Sequence, residues 1–172
     1  MATYNLTEIT KSMTNLVTAR TGTLDNVTLN GAEFTFLGGE NILAMLTASM
    51  PIPVYGHKYY GRCKQKAPTG FSHADARFEY YSGDVAGTGL MTFCTMEPTD
   101  NKWKTFSSIQ QLTGEPSGTD WKLRSFVANG SADSYRKESL IVDLTEIYGA
   151  GNEPTKEWCD KNIPFFEGTI QY

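Results

Sequence analysis

The sequence predicts a mostly β fold of the sandwich or barrel type. From Val54 onward, short runs that alternate apolar and polar residues are separated by clusters of Gly, Pro, Asn and Asp, which is the pattern of strands joined by turns. Of the 172 residues, 16 are glycine and 12% are aromatic, a composition that favours a turn-rich β protein. No long helical patterns alternate with these runs, so a parallel α/β sheet is disfavoured.

The N-terminal region predicts one amphipathic helix over residues 4–20. Its apolar residues recur at helical spacing: Leu6, Ile9, Met13, Leu16 and Val17. A single apolar stripe of this length is not stable alone in water. The helix is therefore expected to dock either on the rest of this chain or on another copy of it.

The next segments change to strand periodicity. Residues 26–30 and 33–37 alternate about Asn30-Gly31, which predicts a β-hairpin. Residues 40–53 fit either a helical turn or a buried strand.

Six further strands are predicted in the remainder of the chain. They cover residues 57–66, 77–81, 90–96, 102–112, 121–128 and 139–144. We therefore divide the chain into residues 1–40, an N-terminal helix and hairpin for anchoring and oligomerisation, and residues 41–172, a β-sandwich. Alternation places Trp121 on the core side of its strand.

Charge and hydropathy argue against two classes of partner. The formal net charge is −4 and the basic residues are scattered, whereas binding a nucleic acid needs a clustered Lys/Arg patch. No apolar run approaches the roughly 18 residues of a membrane-spanning helix. The N-terminus lacks a basic stretch followed by an apolar one, so we expect no secretory signal and synthesis in a host cytoplasm.

Residue types that carry catalysis or bind metals are sparse. His57 and His73 are the only histidines, and no nucleophile elbow, zinc-protease or phosphate-loop motif is present. We predict no enzymatic activity, no metal site and no cofactor. Of the three cysteines, Cys63 and Cys94 are expected to be small buried hydrophobes, with a disulfide between them on adjacent strands as the alternative. Cys159 is the third.

The most specific stretch of the chain is DLTEIYGAGNEPT, which is soon followed by Trp158. Two glycines suited to positive φ precede a candidate N-cap and a proline that fits the first turn of a helix. In order, these residues are Gly149, Gly151, Asn152 and Pro154. We interpret the stretch as a corner that closes the sandwich, followed by a short helix over 154–161 that Trp158 packs onto the sheets.

This motif resembles one that recurs near the end of small β-sandwich modules in tail, baseplate and appendage proteins of phages. The resemblance extends from about Val54 to Pro154 and includes the strand-like YGHKYYGRCK. Those modules are similar to the galactose-binding-like jelly roll of many carbohydrate-binding modules. The resemblance implies a mostly β, jelly-roll β-sandwich, to which the residue patterns add a short N-terminal and a short C-terminal helix. A structural calcium ion is common in the broader fold, but no dense acidic loop marks a site for it here.

Two strands carry the candidate binding residues. One face of the strand over 57–66 has an aromatic ring among cations, and one face of the strand over 77–81 has charged and aromatic side chains. If these strands pair, they form one patch: Tyr60, Arg62, Glu79 and Tyr81. Trp103, between two lysines after a turn, is a further candidate, because aromatic rings pack on the C–H faces of sugars. A plain solvated strand face is the alternative.

The residues and the resemblance together predict a non-enzymatic structural protein of a phage particle. We expect a tail or baseplate accessory subunit that adsorbs to host surface glycans and contacts other virion proteins through its N-terminal segment. A trimer or larger homo-oligomer is expected. Capsid decoration, or a pure assembly protein that binds only other virion proteins, are the alternatives, since fold does not fix function.

Overall fold

Antiparallel strands dominate the secondary structure. The computed structural model describes residues 12–17, 23–82 and 89–171. In chain order the strands are β1 (Ser12–Thr14), β2 (Thr23–Asp25), β3 (Val27–Asn30), β4 (Glu33–Phe36), β5 (Leu43–Ser49), β6 (Lys58–Lys66), β7 (Asp75–Ser82), β8 (Gly89–Thr95), β9 (Lys104–Gln111), β10 (Trp121–Ala128), β11 (Ser134–Asp143) and β12 (Thr169–Gln171). Two short helices, α1 (Leu144–Tyr148) and α2 (Lys156–Asn162), lie between β11 and β12. No helix of the described residues is long and apolar enough to cross a membrane.

Two five-stranded sheets face each other in the described part of the chain. The first sheet has the strand order β2-β5-β10-β7-β8, and the second sheet has the order β3-β4-β11-β6-β9. From β5 to β7 and from β8 to β11, the chain changes sheet at every connection. This arrangement confirms the predicted mostly β, jelly-roll β-sandwich.

The interior between the sheets is packed with aromatic side chains. Trp121, Tyr80 and Tyr59 are at most 2% exposed. Their rings meet edge to face, with centroids 5.8 Å apart for Tyr80 and Trp121 and 5.9 Å apart for Tyr59 and Tyr80. Such pairs contribute about 0.5–1.5 kcal/mol each beyond the burial of their area. Trp121 is thus a core residue, as the alternation in its strand predicts.

One glycine allows the two sheets to approach closely where β6 meets β8. Gly61 is buried in the middle of β6, and a Cβ atom at this position would lie 2.3 Å from the ring of Phe93 in β8. Carbon atoms in contact are normally about 3.5–4.0 Å apart. A larger residue at position 61 would therefore have to displace Phe93 or separate the sheets.

The C-terminal segment covers the outer side of the second sheet, which we call the covered face. Helices α1 and α2 contact β6 and β9, and a separate apolar cluster lies beneath them. Its buried members are Met13, Tyr60, Leu140, Val142, Leu144, Ile147, Cys159, Ile163 and Phe166. The predicted C-terminal helix is confirmed, with its first residue at Lys156 instead of residue 154.

The N-terminal helix prediction is wrong where the structure describes this segment. Residues 12–14 form β1, which pairs antiparallel with β12. The other parts of the predicted helix, residues 4–11 and 18–20, lie outside the described residues. Helical spacing of apolar residues therefore misassigned a segment whose conformation is set by tertiary contacts.

Asn15 is the residue that fixes this segment against the sandwich. It is 3% exposed. Its amide nitrogen donates to the carbonyls of Ser139 and Phe166, and its oxygen accepts from the N–H groups of Val17 and Ile141. A buried amide with this many partners holds an extended chain in place, because each lost partner would leave a buried polar group unsatisfied.

The predicted hairpin is present, with its turn one residue later than predicted. Asn30 pairs with Glu33, so the turn is Gly31-Ala32, and Gly31 has a φ of 62°. Strand β4 then pairs with β11, and β2 pairs with β5. The hairpin and β2 thus extend the two sheets of the sandwich. The ambiguous segment over 40–53 contains strand β5, and an anchoring role for residues 1–40 stays a prediction.

Candidate functional site

The four residues predicted to form one patch lie on opposite sides of the sandwich. Tyr60 and Arg62 belong to β6 of the second sheet, whereas Glu79 and Tyr81 belong to β7 of the first. That patch required these two strands to pair. They do not, because β6 pairs with β9 and β11, and β7 pairs with β8 and β10. Alternation shows which residues share a face of one strand, but it does not identify the neighbouring strand.

Tyr60 and Arg62 attach the C-terminal segment to the second sheet. Tyr60 is 0% exposed, and its hydroxyl donates to Asp160 Oδ1 at 2.9 Å. Burial raises the pKa of Tyr60 above its ordinary value. Arg62 donates from Nη1 to the carbonyl of Ile163 at 2.7 Å. Tyr60 therefore offers no surface for a sugar ring, which corrects the prediction that it belongs to an exposed platform.

Trp103 lies just before β9, on the outer side of the second sheet. Its side chain is half-buried. Lys137 Nζ lies 4.2 Å from the ring centroid, and Lys66 Nζ lies 5.0 Å from it. These are cation–π distances, so two ammonium groups already engage the ring. Trp103 is on a different sheet from Glu79 and Tyr81.

The outer side of the first sheet, which we call the open face, holds a buried ion pair. Glu79 is 0% exposed, and its Oε1 accepts a hydrogen bond from Arg124 Nε at 2.5 Å. Arg77 Nη1 lies 3.7 Å from Oε2, and the Thr92 hydroxyl donates to Oε2 at 3.4 Å. A buried carboxylate is costly unless it is paired. Glu79 thus fixes the guanidinium of Arg124 in one position.

Arg124 is stacked between two aromatic rings. Its guanidinium carbon lies 4.1 Å from the ring centroid of Tyr81 and 4.8 Å from that of Phe126. Tyr81 is half-buried, and 18% of the Arg124 side chain is exposed. The extensive contacts of β7 and β10 are with their sheet neighbours β5 and β8 and with each other. The outer side of the first sheet therefore has a strip of ring, guanidinium and ring, which we call the Arg124 strip. Tyr81 and Arg124 are its partly exposed members, and Phe126 is only 7% exposed.

Cationic groups border the Arg124 strip on both sides. The Arg77 side chain is 37% exposed and lies 2.8 Å from Asp75, whose hydrogen bond raises the pKa of Arg77. Lys122, which pairs with Tyr81 across the two strands, lies 2.7 Å from Asp120. Fixed N–H donors beside a flat ring suit a ligand that has both C–H faces and hydroxyl groups.

Arg124 and Phe126 were not predicted as members of a site. The alternation around Trp121 contained the signal, because residues on the opposite side of that strand must point outward. Those residues are Lys122, Arg124 and Phe126. What the pattern lacked was the identity of the adjacent strand, β7, which supplies Glu79 and Tyr81.

The glycine-hinged stretch forms a tight corner between the two helices. Gly149 and Gly151 have φ values of 87° and 82°, which residues other than glycine rarely adopt. The N–H of Asn152 donates to the carbonyl of Gly149 at 3.0 Å. Asn152 was predicted to be the N-cap of α2, and this prediction is wrong. Thr155 is the cap, and its hydroxyl accepts from the N–H of Trp158 at 3.3 Å.

Glu153 connects this corner to the second sheet. Its Oε1 accepts from the Thr145 hydroxyl at 2.6 Å, and its Oε2 accepts from Lys58 Nζ at 3.2 Å and from the N–H of Gly151 at 3.0 Å. Burial alone would raise the pKa of Glu153, but the hydrogen bonds from Thr145 and Lys58 outweigh it and lower the pKa to about 2.

The other members of the motif attach both helices to the covered face. Pro154 is buried, and Trp158 packs edge to face on Tyr148 at a centroid distance of 5.9 Å. Asp143 is the N-cap of α1 and also lies 2.8 Å from His57 Nδ1. The motif thus builds the covered face, and it contributes no residue to the Arg124 strip.

The histidines and acidic residues form no metal site in the described ranges. There, no three His, Cys, Asp or Glu side chains are arranged to hold a metal ion. The second histidine, His73, has its Nε2 2.8 Å from the carbonyl of Met96. Both histidines thus have partners in the structural framework.

Comparison with known proteins finds likeness in structure and none in sequence. No protein-family model and no curated protein sequence matches the chain. The second N-terminal cellulose-binding domain of Cellulomonas fimi β-1,4-glucanase C is 14% identical, with a TM-score of 0.49 over 79% of this chain and 94% of that one. The CBM22-1 xylan-binding domain from Paenibacillus barcinonensis is 16% identical, with a TM-score of 0.46 over 79% and 94%. The tripod from the baseplate of bacteriophage Tuc2009 is 14% identical, with a TM-score of 0.48 over 91% of this chain and 59% of that one.

Proposed function

We propose that this chain is a structural protein of a phage particle that binds host surface glycans through the Arg124 strip of the open face. The observation that carries the binding role is the Tyr81–Arg124–Phe126 stack with the buried carboxylate of Glu79 beneath it. We place the protein in a tail or baseplate because the sequence of the Gly149–Pro154 corner predicts a resemblance to phage modules, and this resemblance stays a prediction.

Each residue of the Arg124 strip has a distinct role in this proposal. The ring of Tyr81 packs against the C–H face of a pyranose. Arg124 and Arg77 donate hydrogen bonds to hydroxyl and ring oxygens of the sugar. Glu79 is a positioning residue, because it is fully buried and reaches the ligand only through Arg124. Arg124 is held in place before the ligand arrives, so little side-chain entropy is lost on binding.

A glycan array followed by titration calorimetry with the full chain tests the binding role. We expect Tyr81→Ala to weaken binding of the best glycan by about tenfold or more. Trp103→Ala is the matched control on the second sheet, and its affinity should stay within about twofold. Binding that survives Tyr81→Ala, or that Trp103→Ala removes instead, would reject the Arg124 strip as the site.

Mass spectrometry of purified particles of the encoding phage tests the virion role separately. The chain should be present in stoichiometric amount, and gold-labelled antibody should mark the tail or baseplate. Label on the head would instead identify a capsid decoration. A chain that is present in particles but binds no glycan would be a pure assembly protein. Light scattering on the isolated chain should show the trimer or larger assembly that we propose.

A further inference from the structure

Two cysteines face each other across the interior of the sandwich. Cys63 lies in β6 of the second sheet and Cys94 in β8 of the first, so they are not on adjacent strands of one sheet. Their Sγ atoms are 3.1 Å apart, and both thiols are free. Cys63 is fully buried and Cys94 is partly exposed. The amide of Gln65 donates to both sulfurs, at 3.4 Å and 3.0 Å.

A buried cation lies close to this thiol pair. Arg136 is 1% exposed, and its Nη1 donates to the Ser125 hydroxyl and to the carbonyl of Arg77. Its Nε and Nη2 have no hydrogen-bond partner among the described atoms. A buried guanidinium favours an anion nearby.

The charge state of the pair follows from these neighbours. Burial alone would raise the pKa of Cys63, but the hydrogen bond from Cys94 and the charge of Arg136 lower it to about 7. The hydrogen bond to Cys63, together with burial, raises the pKa of Cys94. Cys63 therefore loses its proton more readily than Cys94.

We propose that Cys63 and Cys94 are an oxidation site at which a small peroxide forms a disulfide that joins the two sheets. A disulfide bond is about 2.05 Å long, so the two sulfurs must approach by about 1 Å. Strands β6 and β8 already approach closely at Gly61 and Phe93. We therefore expect rotation of the two cysteine side chains to bring the sulfurs together without a movement of the sheets. The proposal does not depend on glycan binding.

The chemistry balances with hydrogen peroxide as the oxidant. The Cys63 thiolate takes the proton of Cys94 across the 3.1 Å contact, and the thiolate formed on the partly exposed Cys94 attacks peroxide. The O–O bond breaks, which gives a sulfenic acid on Cys94 and hydroxide. Cys63 sulfur then attacks the sulfenic sulfur, the S–S bond forms, and water leaves with the remaining proton. In total, two thiols and one peroxide give one disulfide and two waters.

Intact-mass measurement of the full chain after treatment with one equivalent of hydrogen peroxide tests the proposal. We expect the mass to fall by about 2 Da, and the thiols that react after denaturation to fall from three to one. The peptide map should join Cys63 to Cys94. The melting temperature should rise by about 5–10 °C, because the bond closes a loop of moderate length.

Two cysteine variants separate this site from general oxidation. Cys159→Ala should keep the mass loss and the rise in melting temperature. Cys94→Ala, at the partly exposed position, should lose both. A gain of oxygen atoms on the natural chain, three reactive thiols after treatment, a bridge that contains Cys159, or a cross-linked dimer would each overturn the proposal.

Discussion

The open face and the covered face carry similar side chains and use them differently. On the covered face, Tyr60 and Arg62 bond to Asp160 and Ile163 of the C-terminal segment. On the open face, Tyr81 and Arg124 contact each other and their own sheet. A tyrosine and an arginine on the outer side of a strand therefore do not by themselves mark a binding surface. What decides is whether another part of the chain covers them.

The two faces also use buried carboxylates for different ends. Glu153 is held by Thr145 and Lys58 and fixes the corner before α2. Glu79 is held by Arg124 and orients a side chain that is still partly exposed. Both carboxylates stabilise the fold, and Glu79 does so beside side chains that are still partly exposed among the described residues.

The largest expected effect is on the covered face. Tyr60→Ala should lower the free energy of unfolding by about 3–5 kcal/mol, because it removes a fully buried ring from the cluster beneath α2. Urea denaturation measures the change. Tyr60→Phe keeps the ring and loses the hydrogen bond to Asp160, so it should cost only about 1 kcal/mol. Equal losses in the two variants would contradict burial of the ring as the main cause.

The next effect is on the open face and tests the ion pair. Glu79→Ala should lower the free energy of unfolding by about 2–3 kcal/mol, because it leaves the Arg124 guanidinium without its carboxylate. Arg124→Ala and the double variant complete a mutant cycle, again by urea denaturation. We expect the double variant to be more stable than the sum of the single losses predicts. Strict additivity would show that the two side chains act independently.

The third effect is a dependence of stability on pH that comes from Glu153. Its pKa is lowered from 4.5 to about 2 in the folded protein, so its contribution is full above pH 4.5 and is lost as pH falls toward 2. The shift corresponds to a contribution of up to about 3 kcal/mol to the free energy of unfolding. Lys58 is 38% exposed, so solvent screening reduces the expected contribution to roughly 2 kcal/mol. Glu153→Gln should flatten this part of the stability profile, measured by thermal unfolding between pH 2 and pH 5. An unchanged slope in the variant would assign it to other carboxylates.

The smallest expected effect on stability is at the proposed sugar contact. Tyr81→Ala should change the free energy of unfolding by less than about 1 kcal/mol, because the ring is only half-buried. The same variant should weaken glycan binding by about tenfold or more. A loss of stability as large as that of Tyr60→Ala would mean that Tyr81 is a structural residue like its counterpart on the covered face.

Sequence reasoning predicted the sandwich well because strand alternation and turn residues are local signals. It placed Trp121 in the core and found the hairpin and the C-terminal helix. It failed where distant contacts decide the outcome. Asn15 binds residues more than 120 positions away, and this contact holds an extended segment where helical spacing predicted a helix.

The candidate site shows the same division. Glu79 and Tyr81 were correctly assigned to one side of one strand, since alternation is enough for that. Arg124 completes the site from a position 45 residues further along the chain, and no local sequence pattern predicts the pairing of β7 with β10. Tyr60 was misjudged because Asp160, which accepts its hydrogen bond, lies 100 residues away in sequence.

The pairing of β1 with β12 has a consequence for orientation. Ser12 lies opposite Gln171, and Met13 belongs to the apolar cluster of the covered face. Residues 12 and 171 therefore lie side by side on the covered face, on the side of the sandwich away from the Arg124 strip. Attachment of the protein at residue 12 or residue 171 would therefore leave the Arg124 strip facing away from the point of attachment.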